Sequence, residues 1–209
     1  VLDVGFGLGG TGETFGRELR GASLTGIDVA PGPLALARRR VAGTGENSIE
    51  FVEGDATRTR FPSAGFDRVL ATESLLYMSR LRFLREAARL LDEAGRLVAA
   101  EFLLAGPSVP RRLPVLLTES RHLGFIGRSH VPITVGAYRA LARFAGLVLV
   151  GAEDITASTL PTYEALRAVI DEQGWPDSAN RAIDAIERMS TTGIVRYTLL
   201  TFEPRRRRR

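Results

Sequence analysis

A short apolar strand running straight into a glycine-rich turn constrains this chain more than any other feature. Val1-Leu2-Asp3-Val4 leads into Gly5-Phe6-Gly7-Leu8-Gly9-Gly10-Thr11-Gly12, and a helix-like stretch follows. Glycines spaced in this way let the backbone turn sharply and let a ligand approach the main chain without interference from Cβ atoms. The start of the next helix offers unpaired N–H groups to a carboxylate or phosphate. The chain therefore opens on a nucleotide-type binding loop.

The literal pattern Gly5-x-Gly7-x-x-Gly10 fits the dinucleotide fingerprint, so the loop alone leaves the nucleotide open. Its surroundings narrow the choice. Asp3 sits inside the first strand, where a dinucleotide fold usually keeps an apolar residue. A second strand, Ala22 to Ile27, ends in Asp28, roughly the ~20-residue offset of a ribose-binding acid. A third, Ile49 to Glu53, runs into Gly54-Asp55-Ala56. The series resembles the class I S-adenosylmethionine-dependent methyltransferases, whose hallmarks are an acid with a glycine loop, an acid after the second strand, and a G-D-A-type turn after the third. An NAD-dependent oxidoreductase is the rival on the same loop. Asp3 and Gly54-Asp55-Ala56 argue against it, and a chain without lysine has no Tyr-x-x-x-Lys pair.

At 209 residues, with 44% hydrophobic residues, the chain suits one domain with a substantial core. No run approaches the ~18 apolar residues of a membrane span, and no secretory signal is visible, so a cytoplasmic enzyme is expected. The absence of cysteine excludes disulfides and thiolate chemistry. Of the formal charge of +4, the five arginines 205–209 supply +5, so the body is close to neutral. That body carries no basic patch of the kind nucleic acid needs, and the Arg tail reads as a disordered, solvated end. No metal-ligand spacing is present, so no metal is expected.

Strand and helix signals alternate through the first two thirds. Helices are expected over Thr11–Arg20, Gly32–Val41, and Leu81–Leu91 with Leu81, Leu84, Ala88 and Leu91 on one face. Gly95 reads as the breaker before a fifth strand, Arg96 to Phe102, and Phe66 to Ala71 as the fourth. Residues 106–132, rich in proline and glycine and holding His122 and His130, read as a substrate-side insertion. Beyond it come a helix over Thr134–Ala145, a strand over Leu147–Asp154, helices near Thr162–Gln173 and Asp177–Met189, and a last strand from Gly193 to Phe202. The expected fold is α/β: one domain over 1–204 with a Rossmann-like, seven-stranded, mostly parallel sheet, an antiparallel last strand and helices on both faces. The resemblance further implies one or two helices upstream of Val1.

The resemblance also implies roles. Gly5, Gly7 and Gly9 would pass their backbone against the methionine half of the cofactor, with Asp3 orienting that region. Asp28 would accept both ribose hydroxyls, and Val29 would press on the adenine face. Asp55 would accept from the exocyclic amine of adenine, while the Ala56 N–H donates to a ring nitrogen. Glu73 falls where relatives touch the methionine amine and the acceptor. The stretches around Glu73–Arg89 and Val98–Phe102 are similar to bacterial sugar O-methyltransferases of secondary metabolism. Here Leu76 and Tyr77 replace the histidines of those enzymes, and Glu101 replaces an aspartate. Glu101 is therefore the expected base and Tyr77 the residue that orients a small-molecule acceptor, most naturally at a hydroxyl oxygen. Nitrogen or carbon acceptors remain the alternative, because the fold does not choose the atom. No oligomeric state is implied.

Overall fold

A computed structural model describes residues 1–18, 21–42, 48–106 and 132–205. The expected insertion, with His122 and His130, and the Arg tail beyond Arg205 lie outside the described residues. Seven strands form one sheet in the order β3-β2-β1-β4-β5-β7-β6. They are β1 (Leu2–Val4), β2 (Ser23–Asp28), β3 (Ser48–Glu53), β4 (Phe66–Thr72), β5 (Leu91–Leu104), β6 (Leu147–Asp154) and β7 (Val195–Pro204). The first five run parallel to one another, whereas β7 inserts between β5 and β6 and is antiparallel to both. This is the expected α/β architecture, with the reversal in its last strand.

The helices are α1 (Gly10–Glu18), α2 (Leu34–Val41), α3 (Arg80–Leu90), α4 (Val135–Ala145), α5 (Thr156–Thr159), α6 (Pro161–Glu172) and α7 (Asp177–Thr191). Among the described residues no helix is long and apolar enough to cross a membrane. Helix α4 starts and stops where its sequence says it should. Thr134 caps it by accepting the Ala137 N–H at 3.2 Å, and Gly146 closes it in the left-handed conformation at φ +88°. Pro161 opens α6, where its missing N–H has no intrahelical partner to lose.

Two local expectations need correction. The buried face of α3 is Phe83, Leu84, Ala87 and Leu90; Leu81 and Ala88 are only partly buried, and Leu91 already belongs to β5. The largest apolar side chain available, Phe83, took the core position, which rotates the stripe away from Leu81. Gly95 is not a helix breaker. The chain passes from α3 directly into β5, and pairing with β4 jumps from Phe66↔Leu91 to Arg68↔Arg96 across an irregularity. Gly95 sits in that bulge, where a Cβ would lie 2.9 Å from the Leu91 side chain and 3.2 Å from the Asp67 carbonyl oxygen.

One core cluster under α3 and α4 joins Leu2, Val4, Val69, Leu84, Leu97, Leu147 and Phe202. Fully burying each such side chain contributes about 1.5–3 kcal/mol. A second cluster clamps the glycine turn. Phe51 packs on Phe6 with ring centroids 4.7 Å apart and the rings tilted at 46°, and Ala37 of α2 closes the group. A Cβ at Gly12 would meet the Phe51 ring at 2.8 Å and one at Gly26 at 2.4 Å. Phe51 thus holds α1 and β2 at a separation that only glycine permits. Gly26→Ala should therefore lower the unfolding free energy by about 1–3 kcal/mol through overpacking, read from the denaturant midpoint. Adding Phe51→Leu to that variant should recover part of the loss.

Candidate functional site

The carboxyl ends of β1 to β4 enclose a cavity of about 670 Å³ whose lining includes Gly5, Asp28, Val29, Asp55, Glu73 and Tyr77. In a parallel sheet this edge is where strands hand over to loops, so residues of separate strands converge on it. Gly5 follows β1 at φ +76°, and its N–H donates to the Ile27 carbonyl at 2.8 Å, carrying the β1–β2 ladder one step further. A Cβ there would lie 2.7 Å from the Ser74 Cβ. Gly7, at φ +50°, has open space where a Cβ would go, and its N–H donates to Asp28 Oδ2 at 3.0 Å. Gly9, at φ +82°, lies against Ala37, where a Cβ would come within 2.9 Å. Of the three expected glycines, Gly5 lines the cavity, while Gly7 and Gly9 shape the turn behind it.

Asp28 ends β2 with both oxygens engaged: Oδ2 takes the Gly7 N–H and Oδ1 the Ala30 N–H at 2.9 Å. Each carboxylate oxygen has two acceptor positions, so two remain for hydroxyl donors. Asp55 begins a turn by accepting the Thr57 N–H at 2.8 Å on Oδ1, and the Ala56 side chain is buried beside it. Gly54 closes on β2 through its N–H to the Asp28 carbonyl at 2.8 Å. Val29, 74% exposed, offers the cavity a bare apolar face. The cavity thus brings together the carboxylates of Asp28 and Asp55 and the apolar face of Val29.

Past β4 the wall changes character. Glu73 adopts φ +51°, its N–H donates to the Ala100 carbonyl at 2.9 Å, and its Oε1 accepts the Tyr197 hydroxyl at 3.0 Å. Ser74 is buried on the same lining with no partner for its Oγ. Sequence reasoning passed over Ser74 and Tyr197: nothing local marks the serine, and the tyrosine stands 124 residues from the acid it touches. Tyr77, half-exposed, lines the cavity at the end of a single 3₁₀ turn over Leu75–Tyr77. Burial and then the neighbouring Glu73 and Glu101 push its hydroxyl above the ordinary tyrosine range.

The two remaining expected residues lie behind the wall. Asp3 is 2% exposed within β1, and Glu101 is 0% exposed within β5; neither lines the cavity. Alternation along β5 places Glu101 on the core face with Leu97, Ala99 and Leu103. Its Oε1 accepts the Leu75 N–H at 2.8 Å, and its Oε2 has no partner. Asp3 Oδ2 is likewise unpartnered. Burial pushes Asp3 up to about 6 and Glu101 up to about 7, with the Leu75 N–H and the nearby Arg80 opposing the rise at Glu101. Among the described residues no group of three or more histidine, cysteine or acidic side chains stands close enough to hold a metal ion.

A family model described as a methyltransferase domain matches residues 1–95. Over 207 residues, 98% of the chain, the sequence is 30% identical to 27-O-demethylrifamycin SV methyltransferase of Amycolatopsis mediterranei, 72% of which is covered. The chain belongs to the class I S-adenosylmethionine-dependent methyltransferases. Methyltransferase GfsG of Streptomyces halstedii is 33% identical over 178 residues, 82% of this chain, and the match spans 60% of that relative's length. Geranyl diphosphate C-methyltransferase of Streptomyces coelicolor, solved with S-adenosyl-L-homocysteine, shares the fold at a TM-score of 0.76 and 17% identity, covering 97% of this chain and 70% of its own. Membership of that family makes S-adenosylmethionine the cofactor.

The buried acids give a pH signature. Glu101 goes from an ordinary carboxyl in the unfolded chain to about 7 in the fold, so its contribution is complete below about pH 4.5 and lost as pH rises through 7. Glu101→Gln fixes the neutral form. Its unfolding free energy should fall less steeply between pH 5 and 8 than that of the wild type, by on the order of 2–3 kcal/mol, measured by urea unfolding at each pH.

Proposed function

We propose that this chain transfers a methyl group from S-adenosylmethionine to a hydroxyl oxygen of a small natural product or sugar, in the cytoplasm. The observation that carries the reading is Asp28: a strand-end carboxylate already bound to the glycine turn through Gly7, with acceptor capacity left for a ribose. The acceptor is argued from the similar Amycolatopsis protein, whose name describes an O-demethylated rifamycin.

When bound, the cofactor supplies a methyl group on a sulfonium, already activated towards a lone pair. The chain's task is then positional. Asp28, Val29, Asp55 and Ala56 hold the adenosine half in the cavity, and Gly5 faces the methionine half, with Gly7 and Gly9 fixing the turn. Asp3, buried in β1 beneath that turn, orients it. Tyr77 orients the acceptor from the cavity wall. Glu101, sealed from the cavity, acts through Leu75: its carboxyl anchors the 3₁₀ turn that presents Tyr77. An alcohol oxygen that also carried the transferred methyl group would be strongly acidic, so its proton would need no buried base. The seclusion of Glu101 also favours a second reading, an amine acceptor attacking in its neutral form.

Asp28→Ala should weaken S-adenosylhomocysteine binding by about 1–3 kcal/mol, the cost of leaving buried hydroxyls without their acceptor, as read by calorimetric titration. NAD titrated in parallel should give no heat. Unchanged affinity in the variant, or binding of NAD alone, would sink this reading.

A further inference from the structure

Between β3 and β4 the chain runs through residues 54–65 without a helix or a strand. Gly54, Asp55, Ala56 and Thr57 of this stretch line the cavity. Irregular backbone has no ladder of its own, so its polar groups must find partners elsewhere. At the near end the Gly54 N–H bonds to β2, and the Asp55 carbonyl accepts the Arg58 N–H at 3.0 Å, closing a turn. The groups that fix the exit from that turn lie outside the cavity, on α3.

Glu86 and Arg89 stand one helical turn apart on α3 and form an ion pair. Arg89 Nη2 donates to Glu86 Oε1 at 2.6 Å and Nε to Oε2 at 3.0 Å. Glu86 Oε1 also accepts the Thr59 N–H at 2.8 Å and the Thr59 hydroxyl at 2.7 Å. The same guanidinium donates to the Phe61 carbonyl at 2.8 Å, and to the Ser63 and Thr59 hydroxyl oxygens at 3.2 Å each. The Arg89 carbonyl takes the Ala64 N–H at 2.9 Å. Two side chains of one helix thus gather the loop from Thr59 to Ala64. Hydrogen bonding from Arg89 holds the Glu86 carboxyl below the ordinary carboxylate range, so the pair is charged at neutral pH. The helix itself does not need the pair, because Phe83, Leu84, Ala87 and Leu90 already bury its other face.

Thr59 is the joint between this clamp and the cavity. It follows Arg58, the residue that closes the Asp55 turn, so holding Thr59 holds the turn. Within the turn the Asp55 carboxylate is oriented by the Thr57 N–H, 2.8 Å from Oδ1. Without the clamp, the nearest anchors are Gly54 on one side and the Phe61 ring, packed edge-on against Phe66, on the other. Glu86, Arg89 and Thr59 do not line the cavity themselves. They act on its ligand through Asp55.

We propose that Glu86 and Arg89 are positioning residues for base recognition: by pinning Thr59 they set the Asp55 carboxylate, and with it the preference of the cavity for a purine bearing an exocyclic amine. This inference rests on the cofactor reading above, in which Asp55 accepts from the adenine amine. It gives an ion pair on the far side of the loop a part in choosing the ligand.

The test is calorimetric titration of the full chain with S-adenosylhomocysteine and, separately, with S-inosylhomocysteine, whose purine carries a carbonyl oxygen in place of the amine. Wild type, Glu86→Gln and Thr59→Val are compared, with urea unfolding of each alongside. The wild type should prefer the adenosyl ligand; parity between the two would overturn the proposal without any variant. Glu86→Gln keeps the side-chain volume and loses the ion pair. In it the ratio of the two Kd values should fall on the order of tenfold, through weaker adenosyl binding with the inosyl ligand little changed. Thr59→Val removes only the hydroxyl and should shift the ratio in the same direction by less; it decides alone if Glu86→Gln does not unfold cooperatively. Equal weakening of both ligands, or lost stability with an unchanged ratio, would make the clamp structural and overturn its part in base recognition while the cofactor reading stands. If the wild type bound neither ligand, both would fall together.

Discussion

The bond from the Gly7 N–H to the Asp28 carboxylate is the constraint on which the cavity depends. It joins a turn that has left the sheet to the last residue of the neighbouring strand. With an apolar residue at 28 the Gly7 N–H would lose its acceptor, and the left-handed turn at Gly7 would lose its tether. One carboxylate therefore closes the turn, satisfies the loop after β2 through Ala30, and faces the cavity. Packing reinforces the same geometry from below. Phe51 fills the space left by Gly12 and Gly26, so the turn, α1 and β2 are packed against one another.

Charge is distributed around that unit in two layers. Asp28, Asp55 and Glu73 meet the cavity, while Asp3 and Glu101 are enclosed behind it with one oxygen each unpartnered. Enclosure favours their neutral forms, and a proton on either acid would supply a donor where the chain has none. The core clusters on both sides offset the cost of keeping these polar groups out of water. Arg80 approaches Glu101 but spends its Nε–H on the Tyr138 hydroxyl at 3.1 Å, so the acid is moderated without being paired outright.

Much of this was legible because it is local in sequence. The glycine spacing, the acids at the ends of β2 and β3, and the alternation of apolar strands with amphipathic helices are short-range patterns, and the sheet follows from them. Helix α4 was readable to its ends because Thr134 and Gly146 supply the caps. The bulge at Gly95 was not, since a glycine after a helical stretch looks the same whether it stops a helix or makes room for Leu91 and Asp67. Glu101 carried a warning that went unused: Leu97, Ala99 and Leu103 alternate around it, placing it on the core face. The contact of Tyr197 with Glu73 had no local signal at all, because it exists only once β7 has been inserted into the sheet.

That insertion also dictates an order of events. Among the described strands β7 comes last in sequence, yet it lies between β5 and β6 and pairs along the length of both. A growing chain that has exposed β1 through β6 still has two unsatisfied edges facing a gap one strand wide. The sheet closes only after the final strand arrives, over sequence separations of roughly a hundred residues between β5 and β7. Until then the long edge of β5 is open to pairing with other chains, so this exposure to misassembly lasts until β7 is made.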